Sequence, residues 1–349
     1  MGQNEIRVRR NPDSIGLQVF AEAITLTTVL KISAQEFRHR LGKAPRVLDG
    51  GLATELQRRG HDLSGEVWSA RLLRDDPDAI ERVHFEYLAA RADIVTSASY
   101  QASFAGFASL GIGRSEAAAL LRRSVELAVA ARDRFQRANP REKRHIFVAA
   151  SVGPYGATLH DGSEYKGDYD LTVSQLVEFH AERLAILASS DADLLGCETI
   201  PCLDEVRALA FLLRQFPDRA AWVSLTSPDG LHTSRGELLA DAGAILEPVP
   251  NVIAVGVNCV APAIVTHAID ALRTQTSKPI IVYPNSGETW DAQGRQWRGA
   301  WSETSLADLA REWLQHGARI IGGCCRTGPK DIAALSELLR GYQGATGAR

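Results

Sequence analysis

Three of the five cysteines stand where thiol chemistry is possible. Cys259 closes one short apolar run, and Cys324 and Cys325 are adjacent at the end of another, directly after Gly322 and Gly323. Three soft thiolates suit a tetrahedral Zn²⁺ site whose fourth position is left for a water or a substrate, the arrangement of a catalytic centre. The paired glycines would let the backbone bend so that two consecutive side chains reach one ion. Spacing alone leaves two other readings open: small apolar core residues, or a strained vicinal disulfide between Cys324 and Cys325. No CxxC pair supports zinc, and the nine histidines form no HxxxH or HxH pair. Cys197, inside a buried run, and Cys202, beside a proline at a helix start, read as packing residues.

A second group is acidic and glycine-rich. Asp49, Gly50 and Gly51 end an apolar run and lead into a helical segment at Leu52. Two glycines let backbone approach a ligand closely, and free N–H groups at a helix start attract an anion such as a substrate carboxylate. Asp49 and Glu198 could together hold an ammonium group, so the pair and the turn would form the divided pocket an amino acid needs. A turn or capping role for Asp49 is the competing reading.

These groups can meet only if the fold gathers the ends of distant segments. Eight β-branched or apolar runs recur: Arg46–Gly51, Ile94–Ser99, Ile146–Ser151, Leu194–Thr199, Ala221–Thr226, Val252–Cys259, Ile280–Asn285 and Ala318–Cys325. Most lack polar alternation, as expected of parallel strands buried on both faces. Helix-length segments separate them, among them Asp78–Arg91, Ser115–Asn139, Ser174–Ser189, Leu203–Gln215, Ala261–Thr274 and Ser305–His316. Such alternation ends in a closed barrel or a doubly wound open sheet, and either places chemistry at the carboxyl ends of the strands. The count of eight, with the polar and thiol groups all at those ends, favours an α/β fold of the (β/α)₈ TIM-barrel type. Residues 41–342 are assigned to this single domain, 1–40 to an N-terminal extension and 343–349 to a tail.

Length and composition agree with this. The 349 residues suit one barrel domain, since such barrels use about 250 residues or more. The hydrophobic fraction is 45% and the charged fraction 23%, ordinary for a globular protein. A net charge of −3 gives no reason to expect nucleic acid or an anionic membrane as partner, so small molecules are the expected ligands. The run from Ile15 to Ile32 follows Arg7, Arg9 and Arg10, but Gln18, Glu22 and several threonines interrupt it, which argues against a signal or anchor. A cytoplasmic location with reduced thiols is the expectation.

Taken together, Val47–Leu56, Gly153–Ala157, Asp161–Tyr165 with Gly167–Tyr169, Glu198–Pro201, Gly256–Cys259, Tyr283–Glu288 and Gly322–Thr327 resemble the homocysteine S-methyltransferases, in the correct order across roughly residues 43–340. Asn-Cys followed by Gly-Gly-Cys-Cys is the most specific part. The resemblance implies a barrel with zinc bound by Cys259, Cys324 and Cys325. It also implies that Asp49 and Glu198 contact the homocysteine amino group, with Gly50, Gly51 and Leu52 near its carboxylate. The Tyr283–Glu288 segment is most similar to the branch that uses S-methylmethionine or S-adenosylmethionine, and the lack of further modules suggests a monomer.

The expected reaction moves a methyl group from a sulfonium donor to the homocysteine thiol, forming methionine. Tyr100, Tyr155, Tyr165, Trp290 and Trp297 are candidate faces for the donor cation, while Asn258, Asn285 and Glu288 are candidates for organising the pocket. Betaine- or cobalamin-coupled transfer on the same barrel and a noncatalytic zinc- and thiol-binding barrel are the alternatives.

Overall fold

The computed structural model of the chain describes residues 32–62, 68–291, 296–298 and 304–342. The Ile15–Ile32 run, save for its last residue, and the expected tail at 343–349 lie outside the described residues. Eight parallel strands form one sheet: β1 Arg46–Val47, β2 Ile94–Thr96, β3 Phe147–Val152, β4 Leu194–Ile200, β5 Ala221–Leu225, β6 Val252–Asn258, β7 Ile280–Tyr283 and β8 Ala318–Ile321. They pair in the order β1-β8-β7-β6-β5-β4-β3-β2. The two outer members then meet. A parallel bridge joins Leu48 to Ile94, and the Asp49 and Asp93 N–H groups donate across the seam to Ile94 and Val47 carbonyls at 3.0 and 2.7 Å. That closure makes the sheet a (β/α)₈ barrel and rules out the open doubly wound alternative.

The strands form because their Val, Ile and Leu runs are buried on both faces; β3, β4, β5, β6 and β7 are buried at every position. The barrel interior holds Leu48, Ile94, Phe147, Leu194, Trp222, Ile281 and Ile320, while a larger apolar layer lies between sheet and helices. The surrounding helices are α1 Ala34–Lys43, α2 Leu52–Arg58, α3 Trp68–Asp75, α4 Pro77–Ala89, α5 Phe104–Ser109, α6 Arg114–Ala138, α7 Val173–Ala188, α8 Leu203–Leu213, α9 Leu239–Leu246, α10 Val265–Arg273, α11 Leu306–His316 and α12 Pro329–Gly341. Ser33, Asp76, Ser103, Thr172 and Ser305 start five of these, each side chain accepting an N–H from three residues on. No helix among the described residues is long and apolar enough to cross a membrane.

Two boundaries differ from expectation. Helix α1 crosses the limit placed at residue 40: its Phe37 and Leu41 join the interior cluster, with the Phe37 ring 5.0 Å from that of Phe147. Residues 34–40 therefore belong to the barrel rather than to an extension. The strands β1, β2 and β8 are also shorter than the apolar runs, which extend to Gly51, Ser99 and Cys325. Their last residues leave the ladder and fold across the carboxyl end, where the Gly323 N–H donates to the Asp49 carbonyl at 3.0 Å.

Gly256 in β6 shows how tightly the barrel is drawn. A Cβ there would lie 1.6 Å from the Ile281 carbonyl oxygen of β7. Backbone cannot yield as a side-chain end does, so Gly256→Ala is expected to destabilise by at least about 3 kcal/mol or to prevent folding. A Tm within a few degrees of wild type, measured by calorimetry, would contradict that close approach.

Candidate active site

Cys259 lies immediately after β6, and Cys324 and Cys325 lie in the loop after β8. Closing the barrel brings them together: the three Sγ atoms all lie within 4.8 Å of one another, and Cys259 Sγ is 3.6 Å from Cys325 Sγ. Backbone bonds fix the approach. The Cys259 N–H donates to the Tyr283 carbonyl at 3.1 Å, and the Cys324 N–H to the Pro284 carbonyl at 2.8 Å. A Cβ on Gly323 would collide with Thr327, whose hydroxyl donates to the Cys324 carbonyl at 2.6 Å, so glycine is what lets this loop close on itself. Cys259 itself has φ +53°, a conformation non-glycine residues rarely take and one that aims its thiol at the other two.

The thiols share protons. The neighbouring Cys324 and Cys325 thiols hold Cys259 well below the usual range, and its charge keeps the other two up. Three thiolates this close are stable only around a cation. Soft, anionic and convergent, Cys259, Cys324 and Cys325 could hold a metal ion. Cys197 and Cys202 stay apart, both pushed up to about 12 by burial, as inert core thiols are.

Two buried carboxylates lie at the same rim, Glu198 within electrostatic reach of Cys259 and of Asp49. Asp49 accepts the Thr96 N–H at 2.8 Å and the Thr96 hydroxyl at 3.1 Å, yet burial still holds its pKa well above the carboxylate range, and Glu198 adds to that. Glu198 accepts from the Ser151 hydroxyl and from the Tyr283 hydroxyl at 3.1 Å; burial raises it to about 7. Both therefore favour a cation that would restore their charged form.

Asn258 spends its amide on the strand ends around it. Its Oδ1 accepts the Thr199 N–H at 2.7 Å and the Ser224 hydroxyl at 2.8 Å, and its Nδ2 donates to the Thr199 hydroxyl at 2.8 Å. It is a brace across β4, β5 and β6 that holds Thr199 at φ +61°, and so fixes the adjoining Glu198. Asn285 is similarly occupied, its Oδ1 accepting the Gly287 N–H at 2.9 Å. Glu288 pairs with Arg326 at 2.9 Å and accepts the Ser286 hydroxyl, tying the loop after β7 to the cysteine loop. Gly50 and Gly51 also serve packing first: added Cβ atoms would meet the Thr327 and Cys324 carbonyls at 2.8 and 2.7 Å. The Gly51 N–H is already bonded to Thr327, so it is not among the free groups an anion would meet before Leu52.

Among the aromatic candidates, Tyr165 comes closest, its hydroxyl 3.2 Å from Cys259 Sγ. Tyr100 packs its ring over Gly153, within the electrostatic reach of Glu164, Cys259 and Glu198. Tyr155 instead packs edge-on against Tyr169 and Phe179, away from the thiols. The side chains of Trp290 and Trp297 lie outside the described residues. Ser151, Thr96 and Tyr283 orient the two acids; Thr96 and Tyr283 end their strands and Ser151 is one residue short of the end of its own. Behind this wall the Glu205 carboxylate binds His180 Nε2 at 2.7 Å and the Tyr155 N–H at 2.6 Å, while Arg183 reaches the Gly153 carbonyl, a buried network that clamps the loop after β3.

A closed (β/α)₈ barrel whose carboxyl rim joins three thiols to a pair of buried acids defines a barrel enzyme with a thiol-centred site that could hold a metal ion. A family model described as homocysteine S-methyltransferase matches residues 46–339. The chain belongs to the homocysteine S-methyltransferase family and is an enzyme of that kind. It is 45% identical to the homocysteine S-methyltransferase YbgG of Bacillus subtilis (84% of this chain, 94% of that one) and 46% identical to the homocysteine S-methyltransferase of Escherichia coli K12 (83% and 93%). The solved metallated form of the homocysteine methyltransferase MmuM from Escherichia coli superposes with a TM-score of 0.78 at 43% identity, covering 86% of this chain and 99% of that one.

Proposed function

We propose that this homocysteine S-methyltransferase takes its methyl group from a sulfonium, S-methylmethionine or S-adenosylmethionine, and works with Zn²⁺ held by Cys259, Cys324 and Cys325. The observation that carries the proposal is the convergence of three sulfurs within 4.8 Å beside Asp49 and Glu198. When bound there, zinc supplies a Lewis acid that keeps a thiol deprotonated near neutral pH.

The chain's own groups do the rest. Asp49 and Glu198, both starved of a counter-charge by burial, receive the homocysteine ammonium, and the start of α2 after Gly51 receives its carboxylate. The substrate sulfur is thereby aimed at the cysteine cluster. In the transfer, that sulfur forms a bond to the donor methyl carbon while the donor C–S bond breaks, its electron pair remaining on the donor sulfur. A neutral thioether leaves, so no general acid is required. Alignment of the three atoms is then the principal demand on the protein.

The test is methionine formation from homocysteine, with S-methylmethionine, S-adenosylmethionine and betaine offered in separate reactions. Product from a sulfonium, abolished by chelation and restored by zinc in preference to other divalent ions, is the expected result. Product from betaine alone, or activity indifferent to chelation, would refute the donor or the metal respectively.

A further inference from the structure

We propose that Glu164 is the counter-charge for the cationic methyl donor, a binding residue that sets donor affinity; the inference rests on the sulfonium reading above. Glu164 lies in the short 3₁₀ turn Ser163–Tyr165, next to the tyrosine whose hydroxyl touches Cys259. Its Oε2 is sealed from solvent and has no hydrogen-bond partner among the described residues. The titratable groups whose fields reach it, Cys259 and Asp161, are acids, and its own field reaches Cys325, Tyr100 and Tyr165. A carboxylate oxygen buried among acids and without a partner is costly, and a ligand that brings positive charge removes that cost.

The turn is also held in place. A Cβ on Gly156 would come within 2.5 Å of the Glu164 nitrogen, so the turn is pressed onto the loop after β3 and Glu164 cannot swing away freely. With Tyr100 and Tyr165 beside it, the acid completes a surface that combines π faces and negative charge, suited to a sulfonium. Glu198 and Asp49 sit on the strand ends and already share one ammonium. Glu164, from a separate loop, is free for the second cation.

The chemistry predicts how its loss will read. Methyl transfer converts the sulfonium into a neutral thioether, so a nearby carboxylate favours the bound donor more than the transition state or the product. Glu164→Gln keeps the shape and removes the charge. It should raise the donor KM, and the Kd for S-methylmethionine measured by calorimetry, by about tenfold or more, with kcat changed less. The homocysteine KM and metal content should stay unchanged, and Glu164→Asp should recover part of the donor affinity. A fold defect would move homocysteine, metal and donor together, and that outcome overturns the assignment. An unaltered donor KM in a variant of an enzyme that does use a sulfonium overturns it too, leaving the functional reading intact. A wild type that methylates homocysteine from a non-sulfonium donor alone overturns both.

Discussion

Cys259→Ser should empty the metal site and end methyl transfer in the same step. The hydroxyl has neither the softness nor the acidity of the thiol, and Cys259 is the sulfur that the other two hold well below the usual thiol range. Losing one of three protein ligands leaves two adjacent thiols on a single loop, a set too small to hold an ion that must keep a position open. Cys324→Ser should behave alike. Metal content measured by emission spectroscopy should fall from one ion per chain towards none. Turnover should drop at least about 10³-fold, since several kcal/mol of metal assistance disappear. Cys202→Ser, on a thiol outside the cluster, should keep both. Full turnover by a metal-free Cys259→Ser protein would dispose of the proposed mechanism.

Glu198→Gln should leave the metal and raise the homocysteine requirement. The amide fills the same space, and its oxygen can accept from one of the Ser151 and Tyr283 hydroxyls while its NH2 donates to the other, so Thr199 and Asn258 keep their places. What goes is the charge that pairs with the substrate ammonium. Removing one partner of a buried charge pair costs about 2–5 kcal/mol, and with Asp49 still present the lower end applies, a rise of about thirtyfold in homocysteine KM. Donor KM should hardly move, the mirror image of Glu164→Gln. Because burial pushes Glu198 up to about 7, removing the carboxylate should not lower thermal stability either. An unchanged homocysteine requirement would take Glu198 out of the pocket.

Much of the barrel could be read from local chemistry. Parallel strands buried on both faces demand uninterrupted Val, Ile and Leu, and runs such as Val252–Asn258 carry that demand in their own residues. The same holds for the cysteines. Once Cys259 and the Cys324–Cys325 pair are known to end strands of one barrel, their meeting follows from the rule that such ends share a rim.

Other features came only with tertiary structure, because they depend on which groups a neighbour supplies. Closure through Leu48 and Ile94 is a single bridge that no run of residues announces. Helix α1 joined the barrel because Phe37 and Leu41 found apolar partners on distant strands, and no local pattern marks where such partners are. Asn258 was visible as a residue beside a cysteine, but its role depended on Ser224 and Thr199, one and two strands away, whose donors and acceptor meet its amide. Glu164 looked like one acid in a polar loop until the fold sealed its Oε2 from solvent and gave that oxygen no partner among the described residues. Residue type determined what each group can do, and strand register and loop packing decided what it meets.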